Sequence, residues 1–78
     1  MFKSGNLVKI ADVYYRFTNM YVYILTPAGY CSAGQVEIKH DDVLMFVRDY
    51  RDNSEWGIYL AGEQLVVYLK KFFVRIEP

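Results

Sequence analysis

The chain has very little of what most protein chemistry is built from. There is one cysteine, Cys31, and one histidine, His40, in 78 residues. A lone cysteine excludes an intramolecular disulfide. One thiol and one imidazole do not supply a nucleophile, a base and an orienting group together, so no enzymatic activity is expected. A charge excess is missing as well, because nine Lys and Arg balance nine Asp and Glu. A nucleic-acid binder ordinarily carries a basic surplus, since phosphate neutralisation and counterion release drive its affinity. The longest apolar run, Met20–Leu25, is far short of the ~18–20 residues that cross a bilayer. The opening Met1-Phe2-Lys3-Ser4-Gly5 has no apolar signal-peptide core, so a cytoplasmic protein is expected. Gly29, Gly34, Gly57 and Gly62 are scattered turn or bulge glycines, not a phosphate loop. With no repeat and no linker, residues 1–78 read as one small domain, with no cofactor and no membrane partner expected.

What is present is apolar and aromatic: 54% of residues are hydrophobic and 18% are aromatic. At this size a fold buries only roughly 60% of its unfolded surface. Aromatic side chains each bury about 150–250 Å², so a few can make most of a core. Disorder needs the opposite composition. The eight tyrosines exceed what so small a core holds with every hydroxyl satisfied. They read as rim packing or as a binding face.

Short apolar runs alternate with polar turns, the pattern of an antiparallel meander. Leu7-Val8-Lys9-Ile10 follows a turn cluster and reads as a first strand. Val13–Phe17 and Met20–Leu25 flank Thr18-Asn19 as a hairpin, and Thr26-Pro27-Ala28-Gly29 is a strong turn. Ala33-Gly34 looks like a bend, and Gln35–Lys39 alternates with Val36 and Ile38 inward. The segment near 42–51 fits a strand, with a short helix as the alternative, because Val43, Phe46, Val47 and Tyr50 also share a helical face. A polar loop from Asp49 to Glu55 then leads to Trp56–Leu60, Leu65–Leu69 and Phe72–Ile76. The expected core is Val8, Ile10, Val36, Leu44, Phe46, Ile58, Leu60, Val67, Val74 and Ile76.

This layout resembles a Src-homology-3-type barrel, and less closely a KOW-like module. The resemblance is carried by Ser4–Ile10, Asp42-Val43-Leu44, the polar loop to Trp56, Leu60-Ala61-Gly62 and Val74-Arg75-Ile76. It implies a strand, a long hairpin-like loop, three meandering strands, a short helical turn and a closing strand. Lys70-Lys71-Phe72 falls where that turn belongs. The fold expected is therefore all-β, a small five- or six-stranded Src-homology-3-like barrel, with an α+β variant as the alternative. The long loop is tyrosine-rich instead of acidic and no proline lies near Lys70, so recognition of proline-rich ligands is not implied. The short, tyrosine-heavy chain also resembles small accessory proteins of tailed bacteriophages, which implies a viral protein acting in a host cytoplasm.

The functional expectation is a non-enzymatic protein that binds, and by occlusion inhibits, another protein such as a host factor. Its face is Tyr14, Arg16, Tyr21 and Tyr23, extended by Tyr50, Arg51 and Tyr59. The alternative is a KOW-like nucleic-acid module using Arg48, Arg51, Lys70 and Lys71. A small-ligand sponge at a subunit interface ranks third. His40-Asp41-Asp42 reads as a solvated turn or helix cap, because neighbours on extended backbone point to opposite faces and do not converge on a metal. Cys31 is expected to be a buried small hydrophobe. Strands apolar on both sides, as in Met20–Leu25 and Leu65–Leu69, point to a homodimer or larger homo-oligomer.

Overall fold

The computed structural model describes residues 2–12 and 20–76. It contains β1 (Leu7–Ile10), β2 (Met20–Leu25), β3 (Cys31–Ile38), β4 (Leu44–Tyr50), β5 (Asn53–Ala61), β6 (Gln64–Leu69) and β7 (Phe73–Arg75). A single 3-10 turn, Lys70–Phe72, separates β6 from β7. The strands form one antiparallel sheet in the order β3-β2-β6-β5-β4-β1-β7. The all-β expectation holds, with seven strands among the described residues in place of five or six. Among those residues β3 and β7 are the outer strands of the order and are not paired with each other. The 42–51 segment is the strand β4, not the alternative helix. The expected Thr18-Asn19 hairpin lies outside the described residues.

Local chemistry accounts for most boundaries. Thr26 closes the β2–β3 turn with its own amide and carbonyl, which bond to the Tyr30 carbonyl at 2.8 Å and the Gly29 amide at 2.9 Å. Gly29 has φ +88° and Gly62, in the β5–β6 turn, has φ +63°. Both sit in the left-handed region that glycine enters without a Cβ penalty. Asp42 holds the β3–β4 turn by accepting the Lys39 N–H at 2.9 Å. The β4–β5 connection is tighter than the polar loop expected, since Tyr50 pairs directly with Asn53. The bend expected at Ala33-Gly34 is instead an irregularity within β3: Tyr23 faces Gln35 and Leu25 faces Cys31, so β3 carries the longer path.

The core lies on the sheet face that carries Val8, Ile10, Val22, Ile38, Leu44, Phe46, Tyr59, Val66 and Phe73. Six expected core residues are buried: Val8, Ile10, Leu44, Phe46, Ile58 and Val67. Val36, Leu60 and Ile76 are only half-buried and Val74 is exposed. The reason for Val74 is the phase of β7. The 3-10 turn absorbs Phe72, so inward alternation restarts at Phe73, which pairs with Ile10. On β5 and β6 both faces are closed in the middle. Ile58 pairs with Val67 on one face and Tyr59 with Val66 on the other, and all four are buried.

Candidate binding face

Two hairpin ends meet at one side of the sheet. The Cys31 amide, at the start of β3, donates to the Tyr50 hydroxyl at 2.9 Å. The Arg51 guanidinium lies over the Tyr30 ring, 4.3 Å from its centroid. These two contacts join the β2–β3 turn to the β4–β5 turn, although their residues are about twenty apart in sequence. Between the turns lies an open depression of ≈ 720 Å³ lined by Cys31, Tyr50, Arg51, Asp52, Asn53, Ser54 and Trp56.

An aromatic cluster adjoins the depression through Trp56. Tyr23 and Trp56 have ring centroids 6.3 Å apart, and Trp56 meets Tyr68 edge-on at 6.2 Å. Tyr68 continues to Phe72 at 5.1 Å and to Phe73 at 6.4 Å, so the surface rings are continuous with the core. Such pairs are worth about 0.5–1.5 kcal/mol each beyond area burial. Burial, and then the neighbouring Tyr23, raise the Tyr68 phenol above its ordinary value. The ring positions are thus set by core packing, while the depression stays open.

Of the face expected from sequence, Tyr23, Tyr50 and Arg51 are brought to this region and Tyr21 is exposed on β2. Tyr14 and Arg16 lie outside the described residues. Tyr59 is a correction: it is 0% exposed and belongs to the core. Its ring sits 4.6 Å from Phe73 and 5.7 Å from Phe46. Tyr30, Cys31 and Trp56 are members that sequence reasoning missed. Cys31 is exposed, not buried.

The basic residues of the nucleic-acid alternative do not gather into one patch. Arg48 and Asp49 are neighbours on β4 and leave opposite faces of the sheet. Asp49 is salt-bridged to Lys70, which is only 18% exposed. Lys71 lies over Phe72 at 5.4 Å, and Arg51 is stacked on Tyr30.

Cys31 and His40 do not form a pair. They flank the ends of β3, about 25–30 Å apart for an extended strand of this length. Desolvation pushes the Cys31 thiol up, away from thiolate character. His40 instead lies 3.4 Å from Asp12 and 3.4 Å from Asp41. Among the described residues no three His, Cys, Asp or Glu side chains are grouped to hold a metal ion, and no helix is long and apolar enough to cross a membrane. Comparison with family models, with curated proteins and with solved structures finds no match.

Proposed function

We propose that this chain is a non-enzymatic binding protein that engages another protein through Tyr23, Tyr30, Tyr50, Arg51 and Trp56. The observation that carries the reading is the pre-tied pair of hairpin ends: rings and a guanidinium fixed around an open depression. Rigid aromatic and arginine side chains are the usual anchors of protein interfaces, because they supply area at low entropic cost. Occluding a site on the partner is the simplest consequence for so small a domain. The element order supports a Src-homology-3-type framework: one strand, a long excursion through β2 and β3, a three-strand meander, a 3-10 turn and a closing strand.

The test is capture of partners from cell lysate, repeated after nuclease treatment. A nuclease-resistant protein should be retained, and Trp56→Ala or Tyr23→Ala should each weaken its binding by about 2 kcal/mol. Affinity that falls by orders of magnitude between about 50 and 200 mM salt, and vanishes with Lys70→Glu plus Lys71→Glu, would instead establish the nucleic-acid reading.

Self-association is part of the same proposal. Leu7, Met45, Leu60 and Leu65 are opposed in turn across β1, β4, β5 and β6, so they line one row on one face. Leu7 is 49% and Leu65 40% exposed at the ends of that row. With no net charge there is no long-range repulsion between copies. Sedimentation at high micromolar concentration is expected to show species heavier than the 9.2 kDa chain. Leu65→Glu should return them to monomer. A wild-type protein that stays at 9.2 kDa throughout contradicts this.

A further inference from the structure

We infer that the depression recognises an acidic side chain of the protein partner, its carboxylate on Arg51 and an adjoining apolar side chain on Trp56. This rests on the reading of that surface as a protein-binding face. The first observation is backbone strain: Arg51 is the only non-glycine with positive φ among the described residues, at 53°. Asn, Asp or Gly enters that region more readily, and a long side chain there is held at a cost. The second is where the strained residue puts its charge. The guanidinium lies over the Tyr30 ring, 4.3 Å from its centroid. A cation–ring contact occupies no oxygen acceptor, so the five N–H donors of the group stay available to a carboxylate.

The third observation is that this cation has no carboxylate of its own among the described residues. Asp49 is paired with Lys70, and Asp12 and Asp41 lie against His40, not against Arg51. The rest of the lining adds mostly donors. Asn53 commits its side-chain oxygen to the Glu55 N–H at 3.0 Å, leaving its amide nitrogen, and Ser54 contributes a hydroxyl. Asp52 is the one opposing group in the lining. A bidentate guanidinium–carboxylate contact is strong and directional because both groups are planar. Trp56, braced edge-on by Tyr68, supplies the apolar wall beside it. The ≈ 720 Å³ of the depression is within the ~300–1,000 Å³ that holds a ligand of several side-chain groups.

The probe is a displayed library of short random peptides, selected on the folded chain and then resynthesised for affinity measurement. Enriched peptides are expected to carry Asp or Glu beside an aromatic or branched aliphatic residue. Arg51→Gln and the peptide's own Glu→Gln should each weaken binding about tenfold or more, and together little more than either alone. Asp52→Asn should tighten binding, because it removes the opposing charge. Arg51→Gly relieves the positive φ while giving up the Tyr30 contact, and the variant, with its fold checked by circular dichroism, must lose the acidic preference. Enriched peptides without an acidic residue would overturn the inference. So would binding that survives Arg51→Gly yet is lost with Trp56→Leu, and that result leaves the binding face itself standing. If no peptide is enriched over the Trp56→Leu protein, both readings fall.

Discussion

Replacing Tyr59 by alanine is expected to cost about 3–5 kcal/mol, the range for deleting a large buried ring. Among the described residues Tyr59 is the largest side chain that is fully buried. Tyr59 is fully buried, packed against Phe73 and Phe46, and paired across the ladder with Val66. Small domains are stable by only about 5–15 kcal/mol in total. For a chain of this size the loss corresponds to a fall in Tm of roughly 12 °C or more. The hydroxyl behaves in the opposite way. Among the described residues it has no hydrogen-bond partner, so Tyr59→Phe removes an uncompensated polar group. That change should be neutral or stabilising, by up to about 2 kcal/mol.

The same hydroxyl gives a pH signature. Burial, and then the Asp49 carboxylate, raise the Tyr59 phenol well above its ordinary value of 10.0. In the unfolded chain it ionises near that ordinary value while the folded chain keeps its proton. The unfolded state then binds fewer protons, so stability is full below pH 10 and falls as the pH rises further. Denaturant unfolding at neutral and alkaline pH should show this fall in the parent and a smaller one in Tyr59→Phe. An equal fall in both would contradict the assignment.

Adding a single methyl group at Gly57 is expected to destabilise the protein by about 1–3 kcal/mol, the cost of overpacking a filled core. Glycine inside a strand is usually a weakness, and alanine there ordinarily gains about 0.4–1 kcal/mol through the unfolded state. Here the native space is already taken. A Cβ at Gly57 would lie 2.9 Å from Phe46 Cε1 and 2.9 Å from the Tyr59 hydroxyl. Both rings are buried and wedged against each other, so neither swings away. Gly57→Val should cost more than Gly57→Ala. In the Tyr59→Phe background the alanine penalty should shrink without vanishing, because the Phe46 contact remains. Thermal unfolding of the four proteins in that cycle checks it, and a Gly57→Ala protein as stable as the parent would show that the two rings can move.

The parts of the fold legible in the sequence are those that local chemistry decides. The turns at Thr26–Gly29 and around Gly62 follow from residues within a few positions of one another, whereas the strand at 44–50 is favoured over a helix only by the meander downstream, and the short turn at Lys70–Phe72 is implied by the resemblance to a Src-homology-3-type layout. What was not legible depends on contacts far apart in sequence. Ile58 and Tyr59 are adjacent and both apolar, so alternation alone does not tell which face of β5 meets the main core. Val74 was misplaced because a three-residue turn resets the alternation before β7. The binding face shows the same limit. Tyr50 and Arg51 were visible as an aromatic and a cation in a loop. Tyr30, Cys31 and Trp56 join them only because β2 pairs with both β3 and β6, which swings one hairpin end beside the other. No pattern within either hairpin encodes that meeting.

Trp56 is the only tryptophan, so its indole signal reports on the depression without ambiguity. The most direct test of the binding face is to titrate the captured partner into the chain and follow the Trp56 fluorescence and indole N–H resonance. The account predicts that both shift with saturation at the binding constant, and that Arg51→Gly reduces the affinity reported by that signal. An indole signal that stays unmoved while the partner is demonstrably bound would place the interface elsewhere on the sheet and contradict the central claim.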